Sequence, residues 1–307
     1  MTAVNLELIG LSKQFGRKTV VDQLSFNVRA GEVFGLLGPN GAGKTTAIRM
    51  MVGLIRPTAG EVLIHGHSIR RDFTAAIRQV GAIVETPEFY RFLTGYQNMN
   101  HFLHLTPKVT PDRLEEIIAF LGMADYIHDR VDTYSLGMRQ RLGVAQALLH
   151  HPSVLILDEP TNGLDPAGIK ELREHLRVLA ERERVAVVVS SHLLAEMELL
   201  CDRVAIIKQG RLLAVRDLKT PTKAWFRFES DPNAQALEVI RENFPELPVV
   251  AVKEGVAVAV DRNMAAQVNA CLVRHAIPVY GIQSQTQSLE DLFMEVTGSE
   301  NNGIDLQ

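Results

Sequence analysis

The sequence predicts an α/β fold built around a parallel sheet, and three observations carry that reading. Apolar runs of strand length at residues 33–37, 154–157, 185–189 and 204–207 recur among helix-like segments, which is the pattern of strands buried on both faces. Residues 6–11 and 20–28 alternate more, with turns at Gly16 and Gly31, as antiparallel strands at a sheet edge do. Between Pro87 and His150 the apolar spacing becomes helical. Met138, Leu142, Ala145 and Leu149 share one helix face, and the stretch from about 87 to 150 reads as a helical insertion.

The pattern changes past Arg216, and the boundary is placed near Leu218, giving domains 1–217 and 218–307. The second domain reads as a strand at 224–229, a helix around 234–244, two strands at 249–252 and 256–260 joined by a Lys253-Glu254-Gly255 turn, a helix around 265–275 and a strand at 279–283. That βαββαβ order is the ferredoxin-like, α+β arrangement. Ser288 with Asp291 three residues on resembles a capping box that opens a last helix over 289–296.

Length and composition bound the function. The chain has 307 residues, 46% of them hydrophobic, enough for more than one core. Its 32 basic and 36 acidic side chains nearly cancel, so no global positive field favours nucleic acid. Cys201 and Cys271 are the only cysteines, too few for a disulfide framework, and a reducing, cytoplasmic location is expected. The first ten residues lack a basic segment and a long apolar run, so no signal peptide is expected. No apolar run approaches the length of a membrane-spanning helix.

The sharpest motif is Gly38-Pro39-Asn40-Gly41-Ala42-Gly43-Lys44-Thr45, which fits G-x-x-x-x-G-K-[ST] directly after the 33–37 run and before a helical stretch from Thr46. Glycines let successive N–H groups point at one anion, and the following helix adds its positive end. This is a triphosphate cradle. Lys44 would neutralise the β- and γ-phosphates, Thr45 would ligate Mg2+, and Thr46 could hydrogen-bond the α-phosphate. A second motif is the 154–157 run, ending in Asp158 and Glu159. Carboxylates at the end of a parallel strand lie on the ligand-binding edge of an α/β sheet. Asp158 suits Mg2+, and Glu159 suits orientation and deprotonation of an attacking water. ATP and Mg2+ are the cofactors expected.

Tyr134-Ser135-Leu136-Gly137-Met138, lying before that acidic pair, completes a set that resembles the ATP-binding cassette (ABC) ATPase family over residues 4–215. The family's signature usually reads L-S-G-G-Q; Ser135 and Gly137 keep it, whereas Tyr134, Leu136 and Met138 depart. The resemblance implies that Ser135 caps a helix beginning near Met138, and that Gly137 approaches the γ-phosphate held by an opposite subunit. It also implies that Phe15 stacks on adenine, that Asp165 of Asn162-Gly163-Leu164-Asp165 reaches across a dimer, and that His192 is the switch histidine at the γ-phosphate. His65, His67, His150 and His151 have no matching ligand set and read as surface or packing residues.

Where most members carry a glutamine, this chain has Glu85. A carboxylate still ligates metal but cannot donate an amide hydrogen bond. Glu85, Pro87, Phe89 and Tyr90 together with the Tyr-Ser-Leu-Gly-Met segment resemble the branch that exports antibiotics and lantibiotic-type peptides. The implied protein is the ATPase subunit of an exporter, a homodimer that clamps two ATP molecules and moves a separate membrane permease, docked through the region of Phe89, Tyr90 and Phe92. It would sit on the inner face of the cell membrane. The competing reading is a soluble ABC ATPase of ribosomes or nucleic acid. It is disfavoured by one set of motifs, near-neutral charge and too few residues between Lys44 and Ser135 for a long coiled coil.

Overall fold

The computed structural model describes residues 3–106, 109–219, 224–285 and residue 289. The chain forms two compact units, Met1–Leu218 and Lys219–Gln307.

The first unit opens with two 12-residue strands, β1 (Val4–Phe15) and β2 (Lys18–Arg29). They pair antiparallel and are extended by β4 (Ala59–Ile64) and β5 (His67–Ser68) in the order β2-β1-β4-β5. The second sheet holds β3 (Val33–Leu37), β6 (Val80–Ile83), β7 (Val154–Leu157), β8 (Ala186–Ser191), β9 (Arg203–Lys208) and β10 (Arg211–Asp217). Its order is β10-β9-β3-β8-β7-β6, parallel except for the antiparallel edge strand β10. Every residue of β3, β7 and β8 is buried, which is why those runs are continuously apolar rather than alternating. Phe26 of β2 stacks on Phe34 of β3 with ring centroids 5.0 Å apart, joining flank and parallel sheet in one core. The Arg203 guanidinium lies over the Phe34 ring, 5.3 Å from its centroid, and 3.0 Å from the Glu32 carboxylate.

Among the described residues seven α-helices complete this unit: α1 (Lys44–Met51), α2 (Phe73–Ile77), α3 (Gly95–Leu105), α4 (Pro111–Phe120), α5 (Leu136–Leu148), α6 (Pro166–Glu183) and α7 (Leu194–Leu200). The helical stretch between Pro87 and His150 contains α3, α4 and α5. Helix α5 starts at Leu136, two residues before the expected Met138, because the Ser135 hydroxyl accepts the Met138 N–H at 3.2 Å and so caps the earlier turn. Strand β6 was not legible as a strand. It contains Gly81, where a Cβ would collide with the Ala147 carbonyl of α5, so close strand–helix packing dictates its composition.

The second unit runs β11 (Ala224–Ser230), α8 (Asn233–Asn243), β12 (Val249–Val252), β13 (Gly255–Val260), α9 (Arg262–Arg274) and β14 (Val279–Gln285). The sheet order β12-β13-β11-β14, all antiparallel, is the ferredoxin-like arrangement expected of βαββαβ. Phe228, Val256, Val258, Ile240, Val268 and Leu272 fill its core. Asp261 caps α9 by accepting the Met264 N–H at 2.8 Å. The expected capping box and last helix lie outside the described residues, apart from Leu289.

Two histidines of the first unit make its stability depend on pH. His150, just past α5, faces the Val80 carbonyl at 3.0 Å and must donate to it from Nε2. Burial holds its pKa below the ordinary value. Burial does the same to His175, whose ring lies 5.2 Å from that of Phe120. Both bind protons less readily folded than unfolded, so their contribution to stability is complete above the unfolded value of about 6.5 and falls as pH drops below it. Denaturant midpoints at pH 7.5 and 5.5 should show this loss, and His150→Gln should reduce the difference while His175 retains its share.

Candidate functional site

The phosphate loop leaves the buried end of β3 and closes on α1. Its shape is set by what surrounds it. Gly43, the N-cap of α1, has φ 103°, and a Cβ there would stand 2.7 Å from the Val20 carbonyl. The Gly210 N–H donates to the Ala42 carbonyl at 2.9 Å, so β2 and the β9–β10 turn together pack against the loop at Gly43. Lys44 is buried, and its ammonium donates to the Gly38 carbonyl at 2.6 Å. Pro39, Asn40, Gly41, Ala42, Gly43, Lys44, Thr45 and Thr46 line a cavity of about 320 Å³.

Residues from two other strand ends line the same cavity. Glu159 follows β7, His192 follows β8, and Asn162 and Val20 complete the wall. The Lys44 ammonium lies 3.2 Å from Glu159 Oε1, while His192 Nδ1 lies 2.9 Å from Glu159 Oε2. One carboxylate therefore spans the cation of the phosphate loop and the imidazole. The Glu159 backbone is left-handed at φ 48°, a conformation costly for a residue with a side chain. Asp158 is buried beside it, its N–H bonded to the Ile83 carbonyl of β6 at 2.9 Å.

Sequence reasoning missed Ser190. Its hydroxyl, fully buried at the end of β8, donates to Asp158 Oδ1 at 2.6 Å and accepts the Glu159 N–H at 2.8 Å. Only the register of β7 on β8, with Leu157 opposite Val189, reveals that Ser190 faces the acidic pair. The neighbouring Ser191 hydroxyl accepts the Leu193 N–H at 3.0 Å and fixes the turn that carries His192.

Glu85 lies on the far side of the carboxylates. With Asp158, Glu159, Gln140 and Asn162 it lines a second cavity of about 220 Å³. Its side chain is largely exposed and pairs with Arg49 on α1, and its backbone is left-handed at φ 68°. The Gln140 amide of α5 donates to the Asn162 carbonyl at 3.3 Å, connecting the signature helix to the loop after Glu159.

Ser135 is exposed and Gly137 half-buried; the residues that line the phosphate-loop cavity include none of the signature segment. Tyr134, the departure just before Ser135, is buried, and its hydroxyl donates to the Tyr126 carbonyl at 2.8 Å. Burial, reinforced by Tyr126 and Asp129, pushes its pKa up to about 12. A Cβ on Gly95 at the start of α3 would collide with that hydroxyl, so Tyr134 and Gly95 fit each other. Asp165 caps α6, accepting the Gly168 N–H at 3.0 Å. Phe15 ends β1, about half exposed, with the Lys13 ammonium 4.9 Å from its ring centroid.

A glycine-rich loop between a parallel strand and a helix, with a lysine, a strand-end acidic pair and a histidine facing it, defines a nucleoside-triphosphatase site. The family model described as ABC transporter matches residues 21–162, and the chain belongs to the ATP-binding subunits of ABC transporters, an ATP-binding and ATP-hydrolysing family. It is 48% identical over 302 residues to the uncharacterized ABC transporter ATP-binding protein YhcH of Bacillus subtilis (strain 168), covering 97% of this chain and 98% of that protein. It is 37% identical over 298 residues to the bacitracin transport ATP-binding protein BcrA of Bacillus licheniformis, covering 95% and 97%. A solved structure described as the ATP binding subunit of an ABC transporter superposes with a TM-score of 0.63 at 29% identity, covering 70% of this chain and 90% of that one.

The Gly43 geometry yields a test of the cradle. Gly43→Ala puts a methyl against the Val20 carbonyl and should lower ATP affinity at least about tenfold, the equivalent of about 1.4 kcal/mol. Isothermal titration of the folded variant with ATP measures it.

Proposed function

We propose that this chain powers the export of an antibiotic, peptide or drug-like molecule through a separate integral membrane permease, working as a homodimer on the inner face of the cell membrane. The observation that carries the ATPase part is the contact chain Lys44–Glu159–His192 within one cavity. Export of an antibiotic rests on the likeness to BcrA.

Incoming β- and γ-phosphate oxygens would take the Lys44 ammonium away from Glu159. The freed carboxylate then orients a water against the γ-phosphorus and accepts its proton as the bond to the β-phosphate oxygen breaks, leaving ADP and phosphate. His192, bonded to Glu159, holds that carboxylate and reaches the γ-phosphate. Among the described residues no group of three or more His, Cys, Asp and Glu side chains is placed to hold a metal. Mg2+ is bound through one or two protein oxygens plus substrate phosphates, and Thr45 and Asp158, with Glu85 nearby, would supply them. Mg2+ would neutralise charge on the phosphates.

Ser135 and Gly137, at the start of α5, would meet the γ-phosphate held by the other copy, with Asp165 close to the shared interface and Phe15 against adenine. Closure of the two copies would follow ATP binding, and loss of the γ-phosphate would release it. Among the described residues no helix is long and apolar enough to cross a membrane; the separate permease would provide the path. Tyr90 and Phe92, about 51% and 66% exposed, offer it an aromatic surface. The fully buried Asn98 presents them: its amide donates to the Tyr90 and Thr94 carbonyls and its oxygen accepts the Tyr90 N–H at 2.9 Å.

Lys44→Ala should weaken ATP binding, whereas Glu159→Gln should keep binding and stop turnover. In light scattering, Glu159→Gln should also accumulate an ATP-dependent dimer. Coexpressed with its permease, the wild type should raise resistance to a bacitracin-like peptide and neither variant should. Equal loss of ATP binding in both variants would overturn the assignment.

Glu85 gives a second test. Glu85→Gln keeps a polar oxygen at the second cavity, and Glu85→Ala removes it and the Arg49 pair together. Gln should be the milder change, and Ala should reduce transport by the reconstituted complex more than it reduces ATP affinity. Wild-type values for Ala in affinity, turnover and transport would make Glu85 a strand-end surface acid.

A further inference from the structure

We infer that Ser190 is a positioning residue for hydrolysis, a single buried hydroxyl that sets the geometry of both site carboxylates. The inference rests on the reading of Glu159 as the water-orienting base. Asp158, as a carboxylate, only accepts hydrogen bonds, so the Ser190 hydroxyl proton must point to its Oδ1, at 2.6 Å. A lone pair of the same oxygen is then directed at the Glu159 N–H, at 2.8 Å. The hydroxyl is fully buried, so no solvent rotor competes with either bond.

Each of the two bonds has a separate effect. The first occupies one oxygen of Asp158 and fixes the carboxylate plane, leaving Oδ2 for a ligand. The second ties down the backbone at the residue whose φ is 48°. A left-handed non-glycine residue persists only when its surroundings hold it there, and the Ser190 bond lies at that residue's own N–H. Released from it, Glu159 would sample other backbone conformations, and its carboxylate would leave the line between Lys44 and His192. The sheet makes the arrangement rigid. Ser190 lies in register with Leu36 of β3 and one step beyond the Leu157↔Val189 pair of β7 and β8, so the strand that starts the phosphate loop and the strand that delivers the acids flank the same serine.

Ser190→Ala in the full chain should lower kcat for ATP by roughly 10–100-fold, the usual loss when a group that orients site ligands is removed. ATP affinity by titration calorimetry and KM should stay at wild-type values. Ser190→Thr, which keeps the hydroxyl, should recover most of the rate. In the Glu159→Gln background, adding Ser190→Ala should leave the ATP-dependent dimer intact, because the hydroxyl positions the carboxylates and does not hold the nucleotide. A merely structural serine would instead lower the thermal midpoint and ATP affinity and disperse the ATP-dependent dimer of the double variant. That pattern, or wild-type kcat in Ser190→Ala, would overturn the proposal. Wild-type turnover in Glu159→Gln alone would overturn the underlying assignment of the base, an outcome distinguishable from both.

Discussion

The parallel hydrogen-bonded register of β3, β8 and β7 is the constraint on which the rest depends. Parallel strands release their side chains at the same edge, so the phosphate loop, Glu159 and His192 reach one cavity although more than a hundred residues separate the first from the last. A one-residue slip would turn every side chain to the other face of the sheet. Complete burial of these strands on both faces leaves no solvated face to accept such a slip. The hydrophobic core therefore specifies the geometry of the charged site.

Much of this was legible in the sequence because the signals are local. The glycines of the phosphate loop are needed for their own backbone and for the space next to Val20, and continuous apolar runs mark strands buried on both faces. The ferredoxin-like unit was legible for a similar reason: short β-branched strands alternate with amphipathic helices and a Lys-Glu-Gly turn. What could not be read depends on distant partners. Gly81 looks like a loop residue until Ala147 is placed against it, and nothing near Ser190 in sequence indicates that it faces Asp158. The Glu85–Arg49 pair joins a strand end to the phosphate-loop helix across 36 positions of sequence, and no periodicity encodes it.

The departures from the usual signature have physical partners as well. Tyr134 replaces an apolar side chain with a ring of which the apolar body packs edge-to-face on Tyr126 at 5.2 Å, and its hydroxyl finds a carbonyl. A buried phenol needs such an acceptor. Gly95 supplies the room, and main-chain bonds from Gly95 and Tyr96 to the carbonyls of Asp129 and Ile127 stitch the same segment to α3. The start of the signature helix is thereby fixed to the helix that follows the exposed aromatic loop.

The Asn98 amide has a consequence for how such a subunit diversifies. It holds the loop through main-chain atoms of Tyr90 and Thr94 and makes no hydrogen bond to the rings themselves. The main-chain frame of the loop is thus held without hydrogen bonds from the side chains at 90 and 92, whose rings add packing contacts to each other and to His101. On the proposed docking, exchanging the rings at 90 and 92 would change the face offered to the permease while the backbone frame held by Asn98 stays in place, so the address of the motor and its hydrolytic site are carried by separate residues.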